Sequence, residues 1–185
     1  MRRMVDAARR LGVGAGFGAA LLVLSLGGCA DTPGDAAAMA KTELKRTQSG
    51  WDLVTLNDLH EEDRAAWETA HPDESPGFCA GDFFGDGRPA FAGLVHQVGE
   101  QGRRARLVIM GQEPSGRFVS FPVFTVSPIE RVPMIAKSAA NEYEVYLNEQ
   151  MVRVPLEGVV YDHTGLGRKL FFWSDTRFVD IELGS

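Results

Sequence analysis

The stretch Ala90–Met110, AFAGLVHQVGEQGRRARLVIM, contains two apolar runs on either side of a glycine-bearing turn. Each run is rich in β-branched and aromatic residues, and the turn at Gly99–Gly102 is typical of a β-hairpin. A second turn, Glu113–Gly116, leads into a third run at Arg117–Phe124. Parallel neighbours would need a crossover of a dozen residues or more, so this region predicts three successive antiparallel strands.

The rest of the chain adds further strands and one helix. Apolar residues recur at helical spacing between Leu56 and Ala70, His71-Pro72 marks the end, and Trp67 is expected on the buried face. The predicted fold class is α+β, mostly antiparallel β: a small meander sheet with one N-terminal amphipathic helix packed on it. The predicted strands are Ala90–Gln97, Arg104–Met110, Arg117–Phe124, Tyr143–Leu147, Gly158–Tyr161, Lys169–Trp173 and Phe178–Leu183.

The first 28 residues have the three zones of a secretion signal: a basic start, an apolar middle, and two small residues before Cys29. The strongly apolar part, Ala19–Leu26, is far shorter than the roughly 20 residues that a membrane-spanning helix needs. The ending Leu26-Gly27-Gly28-Cys29 resembles the lipobox of bacterial lipoproteins. The resemblance implies cleavage before Cys29 and attachment of fatty acids such as palmitate to it, which would make the protein a membrane-anchored lipoprotein.

These zones predict a signal peptide at residues 1–28, a flexible tether at residues 29–50 and one globular domain at residues 51–185. The tether is predicted because large apolar side chains are nearly absent before Trp51, so burial cannot repay the entropy of ordering. Within the tether, a transient helix at Ala36–Arg46 is the alternative. The lipobox resemblance, with Ala30 rather than aspartate after the cysteine, implies delivery to the outer membrane, facing the periplasm.

Charge restricts the partners that the domain is expected to bind. The leader holds four arginines and one aspartate, so its removal takes the net charge from −6 to −9. Because an acidic surface repels phosphates, we expect no nucleic acid partner. Membrane association is instead expected through the lipid on Cys29.

A glycine-rich turn at Gly81–Ala90, GDFFGDGRPA, precedes the first predicted strand. It resembles the calcium-binding turn of FG-GAP and VCBS repeats, in which oxygens at the first, third, fifth and ninth positions surround the ion, with a backbone carbonyl at the seventh. By position, Asp82 and Asp86 match the first and fifth, and the carbonyl of Arg88 matches the seventh. Phe84 at the third position and Ala90 at the ninth have no side-chain oxygen, whereas calcium takes six to eight oxygen ligands. A calcium site and a turn in which Asp82 caps backbone amides remain the alternatives; no other cofactor is expected.

Catalytic patterns in the sequence are weak. The four histidines lack the spacing of zinc ligands, and no nucleophile elbow occurs. Asp162-His163 with Ser174 or Asp175 supplies the residue types of a triad, but geometry defines a triad and sequence does not show it. Cys79 is interpreted as a buried small hydrophobe, with a reactive role as the alternative.

A dense set of aromatic residues in the C-terminal half offers a candidate binding surface. Successive side chains of a strand alternate between faces, so Phe171-Phe172-Trp173 must send at least one ring to the opposite side. If Phe171 and Trp173 point inward, Phe172 is the candidate for exposure; the reverse register is one alternative. Coverage of these rings by the helix is a further alternative, and it explains them more readily than a binding surface does. Phe172 and Asp162 are the candidate binding residues.

Two classes of function remain. The first is a non-catalytic binding or interaction module that contacts an envelope protein or polymer, and the absence of a diagnostic acid-base constellation favours it. The alternatives are a small envelope hydrolase whose acids include Asp82, Asp86 or Asp162, and a calcium-stabilised accessory domain. A concave pocket with two carboxylates and a histidine would favour the enzyme, and an aromatic patch would favour the binding module.

Replacing Cys29 with serine should abolish lipid attachment, because the lipobox resemblance assigns the fatty acids to that cysteine. Cells are grown with alkyne-tagged palmitate, and label on the protein is measured by fluorescence after coupling to a dye. We expect label on the wild-type chain and on a Cys79→Ser control, and none on Cys29→Ser. Equal labelling of all three chains would contradict the predicted anchor.

Overall fold

The structure is a computed structural model that describes residues 33–146 and 150–184. The predicted signal peptide, Cys29 and the first residues of the predicted tether lie outside these ranges. The described residues form helices α1 (Pro33–Thr47) and α2 (Glu61–Ala70), a 3-10 turn (Leu56–Asp58) and strands β1 (Asp52–Leu53), β2 (Phe78–Gly81), β3 (Ala90–Gly99), β4 (Gly102–Gln112), β5 (Phe118–Ile129), β6 (Met134–Ser138), β7 (Asn141–Val145), β8 (Gln150–Val154), β9 (Gly158–His163), β10 (Gly167–Ser174) and β11 (Arg177–Gly184).

The first sheet is built around the hairpin that the sequence predicts. β3 and β4 pair antiparallel from Ala90 opposite Gly111 to Gly99 opposite Gly102, where Gly102 adopts a φ of 95° in the turn. β5 pairs with the other edge of β4, after the turn that begins at Glu113. β1 and β2 both pair with the remaining edge of β3, one beyond the other. The three predicted strands and both turns are therefore confirmed.

The remaining strands form two further sheets rather than a continuation of one meander. The second sheet has the order β11-β10-β9-β6, and β7 and β8 form a separate two-stranded sheet. All of these pairs are antiparallel. The prediction of a mostly antiparallel β fold is confirmed, whereas the single meander sheet is corrected to three sheets.

The β3–β4 hairpin is apolar on both faces because each face is covered by a different layer. One face packs in the main core with buried residues of the second sheet, and the other packs with residues of α1. Continuous apolar runs are typical of strands buried on both sides. The residues of the hairpin that face the main core are Ala90, Ala92, Leu94, Ala105, Leu107 and Ile109, and those that face α1 are Phe91, Val95, Val108 and Met110.

The structure corrects the predicted tether, because residues 33–47 of it form α1. Ala36, Ala40 and Leu44 repeat every four residues and are at most 5% exposed. The approach is close at Gly93, where a Cβ atom would lie 2.4 Å from Cδ2 of Leu44. The helix escapes a search for large apolar residues because it packs mainly through alanines. The described residues that pack on the sheets therefore include α1 as well as residues after Trp51.

The predicted helix at residues 56–70 is interrupted after its first turn. Thr55 and Asp58 cap the 3-10 turn at Leu56–Asp58 reciprocally, and α2 starts only at Glu61. Trp67 is 6% exposed and belongs to the main core, as expected for it. Neither helix of the described residues combines the length and apolarity of a membrane-spanning segment.

Truncating Leu44 should destabilise the fold if α1 is part of it. Leu44→Ala removes a side chain that is 2% exposed and leaves a cavity above Gly93, so we expect the free energy of unfolding to fall by about 2–4 kcal/mol. Met39→Ala on the same helix is the control, because Met39 is 45% exposed, and we expect a change within about 0.5 kcal/mol. Urea unfolding measures both, and equal values would show that α1 adds no stability.

Candidate functional site

An open cleft of ≈ 480 Å³ lies where three segments meet: the loop between β2 and β3, the β4–β5 hairpin and the end of β10. Its floor is aromatic, and its rim carries a few polar side chains. A concave apolar site with few polar groups is the usual form of a ligand site in proteins. We call it the aromatic cleft, and its lining residues are Phe84, Asp86, Arg88, Pro89, Ala90, Gly111, Gln112, Glu113, Pro114, Val119, Phe121 and Trp173.

Phe84 is the centre of the aromatic floor. Its ring centroid lies 5.0 Å from that of Trp173 and 5.7 Å from that of Phe121. Phe178 packs behind it at 5.4 Å, with the ring planes 72° apart. Edge-to-face contacts of this kind stabilise an aromatic cluster beyond the burial of its area. All four rings remain partly exposed, so the cluster is fixed in position and still accessible.

The loop that carries Phe84 is held by backbone hydrogen bonds to two carboxylates. Oδ1 and Oδ2 of Asp82 accept from the amides of Asp86 and Gly87, at 3.1 Å and 3.0 Å. The amide of Asp82 donates to Oε2 of Glu157 at 2.7 Å, which ties the loop to the residue just before β9. Phe83 is fully buried in the main core, so its neighbour Phe84 is directed to the cleft.

The structure bears only indirectly on the predicted calcium site. Both carboxylate oxygens of Asp82 accept hydrogen bonds from loop amides, and Asp86 accepts one from the Arg88 guanidinium, so these acids already have partners. Among the described residues, no three His, Cys, Asp or Glu side chains gather as a metal site would require. The side chain of Phe84, at the third loop position, lies among other rings. Calcium at Asp82 and Asp86 stays a prediction.

The acids on the rim of the aromatic cleft are neutralised within their own loops. Asp86 accepts from Nε of Arg88 at 2.9 Å, and Glu113 accepts from Nε of Arg117 at 3.0 Å. The hydrogen bond from Arg88 holds the pKa of Asp86 below its ordinary value, and that from Arg117 does the same for the pKa of Glu113. Both acids therefore stay ionised and paired, and the rim presents no unpaired carboxylate.

Phe172, the candidate for exposure, is covered, although by strands rather than by the predicted helix. Phe172 does lie on the opposite face of β10 from Phe171, but it is only 7% exposed. The sheet of β7 and β8 covers that face, and Tyr143 and Val154 pack in the same cluster. The residue of this trio that reaches the candidate site is Trp173, which lines the aromatic cleft.

Asp162 lines a second cleft, of ≈ 380 Å³, between α2 and the second sheet. Burial raises the pKa of its carboxyl, and the guanidinium of Arg168, whose Nε lies 3.2 Å from Oδ2, opposes that shift. His71 also lines this cleft and stacks on Trp67. The second cleft thus has a histidine with one lining carboxylate, and the aromatic cleft has two carboxylates with no histidine. Neither matches the arrangement that would favour an enzyme.

The imagined triad of Asp162, His163 and Ser174 is not assembled. His163 pairs with Gly167 across the β9–β10 hairpin, and Ser174 is seven residues further along β10, roughly 23 Å away. Both ring nitrogens of His163 are buried and have no hydrogen-bond partner in the described part of the chain. Asp175, with a φ of 56°, lies in the turn next to Ser174 and is equally remote.

Comparison of the chain with known protein families, curated proteins and solved structures found no significant match. The function is therefore argued from the geometry of the site.

Sequence reasoning missed the aromatic cleft because its parts are far apart in the chain. In the sequence, Phe84 stands out only as a position without a calcium ligand, and the face of β10 to which Trp173 points stays open between two registers. A signal was nevertheless present, since a large aromatic residue at an exposed turn position, where an oxygen ligand is expected, points to a different use of that turn.

The thiol of Cys79 should be unreactive in the folded protein. The residue as a whole is half-buried, yet burial of the thiol raises its pKa to about 12. At pH 8 its thiolate fraction is then smaller by a factor on the order of 1,000 than in the unfolded chain. We expect negligible reaction with iodoacetamide at pH 8 and rapid reaction in guanidinium, measured by mass spectrometry. Rapid labelling of the native protein would instead support a reactive role for Cys79.

Proposed function

We propose that this protein is a lipid-anchored, non-catalytic binding module of the cell envelope, and that the aromatic cleft is its binding site. The observation that carries the proposal is the cleft itself: three partly exposed aromatic side chains, Phe84, Phe121 and Trp173, form the floor of an open apolar depression. Leaving such rings accessible to water forgoes the free energy of burying them, which a bound partner would recover.

The position of the cleft also supports binding. Its floor side chains come from β10, from β5 and from a loop tied to Glu157, so they are presented by rigid elements. A site held in place before the partner arrives loses less entropy on association. The aromatic cleft itself has two lining carboxylates, each paired with an arginine, and none of its lining residues in the described part of the chain is a histidine.

The proposal includes the lipid anchor at Cys29 and the outer-membrane location facing the periplasm. Support comes from the leader and its lipobox resemblance, and from the net charge of −6, which disfavours nucleic acid. The partner is accordingly an envelope protein or an envelope polymer.

The finer architecture that the sequence predicts, an amphipathic helix held on the sheets, is also part of the proposal. Complete burial of Ala40 and the 6% exposure of Trp67 support it. One sheet face is covered by a helix and another by the β7–β8 pair, whereas the aromatic cleft stays open.

One observation favours the hydrolase alternative. Asp162, whose pKa is raised by burial, lines the second cleft together with His71, and a carboxyl of raised pKa in a cleft is a common form of general acid. The calcium-stabilised alternative would act through the Asp82 loop, and it predicts that a chelator lowers the melting temperature.

Photocrosslinking in living cells tests where the partner binds. A photoreactive phenylalanine analogue replaces Gln112 on the rim of the aromatic cleft, Ala70 in the second cleft or Lys45 on the exposed side of α1. We expect one dominant product from position 112 and none from position 45, because only the first is next to the proposed site.

The position at residue 70 separates the alternatives. Capture there alone would support the second cleft and the hydrolase. Similar products from all three positions, or none from position 112, would contradict binding in the aromatic cleft.

A further inference from the structure

The polar side chains around the aromatic cleft are already engaged with one another. Arg88 donates to Asp86 through both Nε and Nη2, and Glu113 accepts from Arg117 and from the hydroxyl of Ser115. A sugar polymer or an ionic ligand needs several free partners, and here it would have to displace these bonds. The rim therefore favours a ligand that forms few hydrogen bonds and carries no charge where it contacts the aromatic floor.

Trp173, which lines the same cleft, carries an indole N–H donor. Its indole N–H makes no hydrogen bond with any described residue, and the side chain is partly exposed. By contrast, the indole N–H of the buried Trp67 donates to the carbonyl of Glu74 at 3.1 Å. The cleft thus combines flat apolar rings with an available donor, and the fitting ligand pairs flat apolar groups with a strong acceptor.

We propose, resting on the binding function above, that the aromatic cleft binds a proline-rich segment of a partner protein in the polyproline II conformation. Pyrrolidine rings pack on Phe84, Phe121 and Trp173, and a backbone carbonyl of the segment accepts the Trp173 indole N–H. Proline has no backbone N–H, so the segment leaves no donor unsatisfied over the apolar floor. Polyproline II is already extended before binding, so little conformational entropy is lost.

Charge complementarity defines the flanks of that segment. The paired rim is neutral, which suits an uncharged proline core, while the chain as a whole carries a net charge of −6, or −9 once the predicted leader is removed. Basic residues beside the prolines are attracted by this net negative charge, and acidic ones are repelled. The occupant is therefore an uncharged proline core with lysine or arginine on either side.

The test uses the full lipidated protein in detergent micelles and a peptide of about eight prolines, between two and three turns of polyproline II, flanked by lysines. Calorimetry measures the affinity, and the indole N–H signal of Trp173 is followed by NMR. We expect saturable binding with a Kd below about 1 mM and a shift of that signal. A glycine-serine peptide with the same flanks should not bind, and glutamate flanks should weaken binding.

Two matched variants test the proposed hydrogen bond. Trp173→Phe keeps an aromatic ring and removes the N–H, so the affinity should fall about three- to tenfold. Trp51→Phe is the control, because Trp51 packs with α1 residues and lies against Arg104 and Arg106. Its affinity should stay within about twofold of the wild-type value. Thermal unfolding checks that both variants are folded.

The outcomes separate this proposal from the function on which it rests. If position 112 still crosslinks a partner in cells but the proline peptide fails to bind, the proline assignment is overturned and the binding site stands. Equal affinity of the glycine-serine peptide, or equal affinities of the two tryptophan variants, would also overturn it. Capture of a polymer fragment at position 112 would replace the proline-rich segment by a carbohydrate.

Discussion

Burial of the β3–β4 hairpin on both faces is the constraint on which the rest of the structure depends. A hairpin with one apolar face needs one layer to cover it. This hairpin has two apolar faces, and α1 covers one of them while the second sheet covers the other. Complete burial of a Val, Leu, Ile, Phe or Met side chain contributes about 1.5–3 kcal/mol to the free energy of folding relative to exposure. Both covering layers are therefore needed. The absence of a side chain at Gly93 is what allows Leu44 of α1 to approach the sheet.

Local features of this fold could be predicted from the sequence, and distant ones could not. The turns at Gly99–Gly102 and Glu113–Gly116 fix their own strand pairs, because the two halves of a hairpin are neighbours in the chain. Strands β1, β2, β6 and β8 were missed. Each is at most five residues long, and β1 and β6 pair with strands that do not follow them directly in the chain, so no hairpin turn marks them.

The same limit applies to the helices and to the candidate site. The stable packing of helix α1, which the sequence indicates only as a transient helix, was missed because Ala36 and Ala40 of its contact surface also suit an unfolded linker by composition. Burial of Phe172 depends on a β7–β8 pair whose position over β10 no sequence period encodes. In the cleft, Phe84 and Trp173 meet only once the loop and β10 are in place. In the turn that resembles a calcium loop, Asp82 accepts two backbone amides and Phe84 occupies the third position.

The early start of α1 limits how far the domain can stand from its anchor. Pro33 is four residues after Cys29, and an extended chain covers at most about 3.6 Å per residue, or about 14 Å in all. With a lipid on Cys29, as proposed, the domain would lie close to the bilayer surface, because no long linker would separate it from the lipid. A partner would therefore have to approach the membrane surface to bind, since the domain could not extend far from the membrane to contact it.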